Sequence, residues 1–308
     1  MKEEREDQEK ETTIGKPFME EYQYLYLIKH ILDHGSNEVG RNGVTRSVFG
    51  AHMRFSLANE SIPILTTKKT AWKTCLKELL WFIRGETSIS SLHEENVHIW
   101  DGNADKEFLE SRNLGHYEEG DLGPIYGFQW RHFGAEWVNS SSSQYDGCGI
   151  DQLQLIIDQL KNNETKTSRR LVMTAWNPTD LDKMALPPCH VMCQFNVHDG
   201  DKLSCSMYQR SADIGLGVPF NIASYSFLTH LIASHCDLVA HEFVYFLGNA
   251  HIYDDHVDVL KEQITRKPCK FPTLKRIKKR ENINDYVFSD FLVEDYDCCD
   301  KIQMNMRA

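Results

Sequence analysis

The chain has no Cys-x-x-Cys pair, no apolar run long enough to span a bilayer and no excess of positive charge. Each absence removes a class of protein. The nine cysteines are scattered over 308 residues, only Cys298 and Cys299 being adjacent, which argues against a disulfide scaffold or a four-thiolate zinc site and for a reducing compartment. The N-terminus, Met1-Lys-Glu-Glu-Arg-Glu-Asp7, lacks the apolar segment of a secretory signal, so a cytoplasmic protein without a membrane span is expected, with the nucleus as an alternative. A formal net charge of −11 disfavours general binding to a phosphate backbone and leaves room for small anionic substrates. The Gly-x-x-x-x-Gly-Lys-Ser/Thr loop of nucleoside triphosphatases is missing, and so is His-Glu-x-x-His; no metal site is expected from isolated histidines. No long internal repeat is present.

What is there can fill a sizeable core, since 41% of the residues are hydrophobic. Residues 1–19 are dense in Glu and Lys without an apolar period and read as a flexible extension, with one domain over 20–308. From Glu20, the spacing of Tyr24, Leu27, Ile28, Ile31 and Leu32 predicts a helix, with Gly35 as a left-handed stop. A polar loop, Gly40 to Arg46, follows; it either grips an anion through Arg41 and glycine-flanked amides or is plain surface. Thr70 to Arg84 predicts a second helix closed by Gly85, with Glu78 amid its apolar surface. That carboxylate either pairs with a cation or has its pKa raised toward the range of proton transfer. Trp100 and Tyr126 sit beside polar turns, as pocket lining or as loop anchors. Asp151 caps a helix bearing Leu153, Ile156, Ile157 and Leu160, and Asn221 to Leu238 predicts a largely apolar helix with structural His230 and His235.

The centre of the chain is Ala185-Leu-Pro-Pro-Cys-His190, then Tyr208-Gln-Arg-Ser-Ala-Asp213, then Gly217-Val-Pro-Phe-Asn221. Alternating runs over 191–197 and 203–209, joined by His198-Asp-Gly-Asp201, predict a hairpin that brings Cys189 and Arg210 to one end. A guanidinium above a thiol favours the thiolate; the rival reading is a buried, inert cysteine. Arg169 and Arg170 precede a strand, where neighbours face opposite ways, so one pocket of one subunit would not use both without a loop or a second subunit. Alternation puts His251 and Tyr253 on one side of a strand, suited to a sugar hydroxyl or a buried polar anchor. Lys270 to Arg280 reads as a solvated strand or loop, with RNA binding as a weaker alternative.

Leu79-Leu-Trp-Phe82, Asp121-Leu-Gly-Pro124, Asp182 to His190, Gln209-Arg-Ser-Ala-Asp213, Gly217 to Tyr225 and His251-Ile-Tyr253, in this order, closely resemble thymidylate synthase over roughly residues 20–308. The resemblance implies an α+β fold, with one large mixed sheet, helices on one face and the other face packed against a second copy. It implies conversion of deoxyuridine 5'-monophosphate to thymidine 5'-monophosphate with 5,10-methylenetetrahydrofolate as one-carbon donor and reductant. Cys189 would attack C6 of uracil. Glu78, Tyr126 and His190 would manage protons, and Asn221 would pair with N3 and O4. Arg210, Arg41, Ser211 and the partner's own copies of Arg169 and Arg170 would hold the phosphate, beside Ala212 and Asp213. His251 and Tyr253 would hold the 3'-hydroxyl. Asp213, Ile99, Trp100, Leu216, Gly217, Phe220 and the terminal Arg307 and Ala308 would receive the folate. Three positions depart from the family pattern: the loop Arg41-Asn-Gly-Val-Thr45, Asn103 in place of a tryptophan of bacterial members, and Arg307-Ala308 where a small residue and Val or Ile usually close the chain. A deoxynucleotide hydroxymethylase, an RNA-binding regulator and a cysteine hydrolase are the alternatives.

Overall fold

A computed structural model of the chain describes residues 20–40, 43–140 and 145–306. The extension expected at 1–19, Arg41, and the terminal Arg307 and Ala308 lie outside the described residues. Helix α1 (Glu21–His34) leads into strands β1 (Ser36–Gly40) and β2 (Gly43–Ser56), then α2 (Trp72–Ile83) and the short helices α3 (Ser90–Glu94), α4 (Asp101–Ala104) and α5 (Lys106–Ser111). Next come α6 (Tyr126–His132), α7 (Gln152–Lys161) and strands β3 (Val172–Thr174), β4 (His190–His198) and β5 (Lys202–Asp213). Helix α8 (Gly217–His235), β6 (Val239–Tyr253), α9 (Val257–Gln263), β7 (Thr273–Ile277) and β8 (Phe291–Glu294) complete the order.

The fold is α+β around a mixed six-stranded sheet in the order β1-β2-β6-β5-β4-β3, with β7 and β8 forming a separate antiparallel pair. Among the described strands only β5 and β6 run parallel, and α8 is the crossover that a parallel connection requires. Period-2 alternation gives the sheet two unlike faces. Cys193, Phe195 and Val197 on β4, Leu203, Cys205 and Met207 on β5, and Phe243, Tyr245 and Leu247 on β6 are buried in the core shared with the helices. Their neighbours Met192, Tyr208 and Phe246 point the other way and are exposed. Among the described residues, no helix is long and apolar enough to cross a membrane.

The expected helices form, with instructive differences. Gly35 ends α1, yet its φ of −68° is not left-handed. What needs glycine there is space, since a Cβ would lie 2.5 Å from the Ile31 carbonyl oxygen, which accepts a hydrogen bond from the Gly35 N–H. Gly85 closes α2 as expected, and it is this glycine, at φ 75°, that is left-handed. The predicted loop Gly40 to Arg46 is instead part of a hairpin, with Ser36 opposite Ser47 and Gly40 opposite Gly43. Its strands are polar enough to read as a loop because β1 is exposed along its whole length. Helix α8 begins at Gly217, a turn before the expected Asn221, because Pro219 fits the first turn of a helix and does not break it. Buried nearly all round, α8 has Ser226 and Thr229 hydroxyls donating to the carbonyls of Ile222 and Tyr225, both at 2.7 Å.

One row of the sheet is irregular across three strands. Pairing of β2 with β6 skips Gly50 and Gly248, and pairing of β5 with β6 skips Arg210 and Gly248. A Cβ on Gly248 would lie 2.8 Å from the Arg210 carbonyl oxygen. This close approach sits at the row that presents Arg210.

Candidate active site

The turn Asp199-Gly200, with φ values of 49° and 91°, closes β4 onto β5 as the alternation predicts, and the Arg210 N–H donates to the Cys189 carbonyl at 3.0 Å. Pro187 and Pro188 have no N–H, but their carbonyls accept from Arg210 Nη2 and Nε, both at 2.9 Å. The guanidinium is thereby held with Nη2 4.0 Å from Cys189 Sγ and its centre 5.3 Å from the Trp176 ring. The expected direction of the thiol pKa is corrected: burial pushes Cys189 above its ordinary 9.0, with the Arg210 charge and the Tyr126 phenol opposing that rise. Desolvation outweighs one guanidinium at 4.0 Å.

Behind the thiol lies an aromatic wall. Tyr126 accepts the Cys189 N–H at 2.6 Å, and its ring centre lies 4.8 Å from His190 and 4.9 Å from Phe82. Glu78, buried on α2, accepts a single side-chain bond, from Trp100 Nε1 at 2.8 Å. Burial drives its carboxyl from 4.5 to about 7, the Trp100 bond opposing. Burial likewise pushes the His190 imidazole down to about 4, and holds the Tyr126 phenol well above its ordinary range in the field of Cys189 and Glu78. Of these groups only Glu78 exchanges a proton near neutrality. A neutral imidazole near 4 is a poor general base, which weakens the cysteine-hydrolase alternative.

Asn221 extends from α8 toward β5 and donates from Nδ2 to Gln209 Oε1 at 2.8 Å. The Tyr245 hydroxyl donates to the same oxygen, and Gln209 Nε2 donates to the Ser211 carbonyl at 2.8 Å. Sequence reasoning missed Gln209 and Tyr245. Their signal was polarity at inward positions of core strands, where a side chain must find a partner, and for Gln209 also its place at the head of the Gln209-Arg-Ser-Ala-Asp213 motif.

At the same end of β5, Asp213, its last residue, has Oδ1 accepting the Gly215 N–H at 2.9 Å and lying 3.9 Å from His256 Nδ1. Gly217 stands between Asp213 and Asn221: a Cβ there would be 3.7 Å from the Asp213 Cβ and 4.0 Å from Asn221 Nδ2. Leu216, Phe220 and Ile99 are partly buried at the rim. Lys68, also missed, donates from Nζ to the Gly215 carbonyl; burial lowers its pKa to about 8 while Asp213 and Glu21 oppose. The chain approaching its C-terminus reaches this end, where Asn305 O accepts from His256 Nε2 at 2.9 Å. His251 and Tyr253 share a side as expected, their rings 5.2 Å apart, and His251 Nδ1 bonds Asn249 Oδ1 at 3.0 Å. Ser211 and Ala212 pair with Asn249 and Ala250; the Ala212 methyl is buried, so only its backbone can face a ligand.

Arg169 and Arg170 are not brought to this cluster. They are exposed in a turn before β3, which runs antiparallel to β4 with Val172 opposite Gln194, well along the strand from Cys189. Among the described residues no carboxylate pairs with either side chain.

A family model described as thymidylate synthase matches residues 22–308. The chain is 53% identical over 289 residues to the thymidylate synthase of Herpesvirus ateles, covering 94% of this chain and 98% of that one. It is 54% identical over 291 residues to thymidylate synthase 1/2 of Encephalitozoon cuniculi, covering 94% and 97%. With the bifunctional dihydrofolate reductase-thymidylate synthase of Zea mays it shares 53% identity over 290 residues, 94% of this chain but 55% of that protein. The chain thus spans about half the length of the bifunctional relatives it matches and nearly all of the other two. The constellation of Cys189, Arg210, Glu78 and Asn221 and the extent of these matches lead to one statement of kinship: the chain belongs to the thymidylate synthase family.

Proposed function

We propose that this chain converts deoxyuridine 5'-monophosphate to thymidine 5'-monophosphate, consuming 5,10-methylenetetrahydrofolate and releasing dihydrofolate. The observation that carries the reading is the thiol of Cys189, 4.0 Å from an Arg210 guanidinium that the Pro187 and Pro188 carbonyls hold in place. Arg210, with N–H groups beyond those given to the prolines, binds the phosphate together with Ser211 and Arg41. The dianion it binds lies near the thiol, so Arg210 serves both orientation and thiolate formation. Cys189 Sγ adds to C6 of the uracil ring, which makes C5 nucleophilic. Asn221 presents its amide to N3 and O4, held by Gln209. Glu78, poised near 7, moves protons at O4 and C5, while Tyr126 stays protonated and His190 neutral. His251 and Tyr253 hold the 3'-hydroxyl.

The residues around Asp213 fit a pterin: a carboxylate beside an open glycine, Gly217, with Trp100, Ile99, Leu216 and Phe220 as apolar lining. When bound there, the folate supplies the one-carbon unit and the hydride. The chain's approach to His256 through Asn305 supports a contribution of the segment ending at Met306 to that site.

Two copies form the working unit. Phe246 is 44% exposed on the sheet face away from the helices, in the wall of a concavity of about 580 Å³ also lined by Ala51, His52, Met192, Gln194 and Tyr208. Such an apolar face on a sheet fits a second copy of itself, and the unpaired Arg169 and Arg170 then serve the other copy's phosphate.

The test is simultaneous measurement of dihydrofolate formation and tritium release from 5-tritiated deoxyuridine monophosphate, in parent and Cys189→Ser protein. Both signals should appear in the parent and vanish in the variant. Tritium release without dihydrofolate would favour a hydroxymethylase, and an active Cys189→Ser enzyme would exclude the covalent route.

A further inference from the structure

We propose that His93, His98 and Asp101 form a binding site for a divalent first-row transition-metal ion, with zinc the best match. The proposal departs from the sequence expectation of no metal and is independent of the reading of Cys189. His93 Nε2 lies 2.7 Å from Asp101 Oδ1, and His98 Nδ1 lies 3.0 Å from Asp101 Oδ2. The three ligand atoms are within 4.8 Å of one another, a spread that small side-chain rotations bring onto one ion. Two imidazoles and one carboxylate form a mixed nitrogen and oxygen set. It suits zinc and its first-row neighbours better than calcium or magnesium, which take oxygen ligands.

The scaffold of this triad is built, not incidental. Helix α3 ends at a left-handed Asn96, φ 56°, whose N–H donates to the His93 carbonyl at 2.9 Å while the Val97 N–H donates to the Leu92 carbonyl at 2.9 Å. Leu92 and Val97 are each 2% exposed and pin both sides of the turn to the core. This reversal folds His98 back against His93, their ring centres 4.8 Å apart. Trp100, locked to Glu78, then fixes the start of α4 and with it Asp101. All three ligands remain between 42% and 56% exposed, which leaves an entry path and room for a water as a further ligand. On binding, the ring nitrogen that now donates to Asp101 gives up its proton to solvent, each imidazole takes a proton on its other nitrogen, and the freed lone pair goes to the ion. A bound ion would clasp the two ends of the segment that carries Ile99 and Trp100, the wall of the Glu78 pocket.

The spacing His93-x-x-x-x-His98-x-x-Asp101 matches no helical metal motif, which is why the sequence did not reveal it. Cobalt(II) is the probe. Titration into the full chain should give visible d–d absorption saturating at one equivalent, without a near-ultraviolet thiolate band, and zinc should displace the cobalt. His93→Ala and His98→Ala, at exposed positions, and Asp101→Asn, at a half-buried one, should each weaken binding at least about tenfold. Unchanged titration in the histidine or aspartate variants, a thiolate band accompanying all bound cobalt, or no saturable binding below millimolar concentration would each overturn the site.

Discussion

At the scale of single residues, burial decides more than pairing does. Glu78 has a folded-state pKa of about 7 against 4.5 when solvated, so between those values the folded state holds more protons than the unfolded one. Stability from this group is therefore full below about pH 4.5 and is lost as pH rises toward 7, by roughly 3 kcal/mol over the window. Glu78→Gln should leave stability nearly unchanged at pH 4.5 and raise it at pH 8; urea unfolding at both values checks this. The same variant should lose most turnover, since of Glu78, Tyr126 and His190 it is Glu78 that titrates near neutrality. Gln209 acts at one remove, by fixing the Asn221 amide. Gln209→Leu strands the Asn221 and Tyr245 donors, an expected loss of about 1–3 kcal/mol. It should raise the KM for deoxyuridylate more than it lowers kcat, and erode discrimination against deoxycytidylate, as steady-state kinetics on both nucleotides would reveal.

At the scale of elements, the irregular row through Gly50, Gly248 and Arg210 shapes the site. A methyl at position 248 would meet the Arg210 carbonyl and the Tyr208 hydroxyl, each 2.8 Å from the added carbon. Gly248→Ala should force β5 and β6 apart there, costing on the order of 1–3 kcal/mol and lowering the thermal midpoint by several degrees. Because the strain falls on Arg210, phosphate affinity should fall as well, measurable by calorimetry with deoxyuridylate. The turn between α3 and α4 is a second such element, anchored by Leu92, Val97 and Trp100.

At the scale of the molecule, the proposed dimer would share its sites, each copy lending Arg169 and Arg170 to the other. Cys189→Ser and the double variant Arg169→Ala with Arg170→Ala should each be inactive alone. Mixed under conditions of subunit exchange, they should recover about a quarter of parental activity, since half the dimers are mixed and each holds one intact site. Activity that stays at zero after exchange, with mixed dimers demonstrated, would place the arginines in their own subunit's site.

The sequence by itself determined the strands and helices whose inward residues repeat at regular spacing, because burial of apolar side chains is periodic: the β4–β5 hairpin, α1, α2 and the cap of α7 by Asp151 were legible, and with them the meeting of Cys189 and Arg210. It also carried the motifs that name the family. Only the tertiary structure decided the net direction of the Cys189 pKa, the Gln209–Tyr245 hold on Asn221, the early start of α8, the space required at Gly35, and the convergence of His93, His98 and Asp101. Each of these depends on atoms distant in sequence or on how much water a side chain keeps. Neither distance through space nor desolvation is written in spacing along the chain.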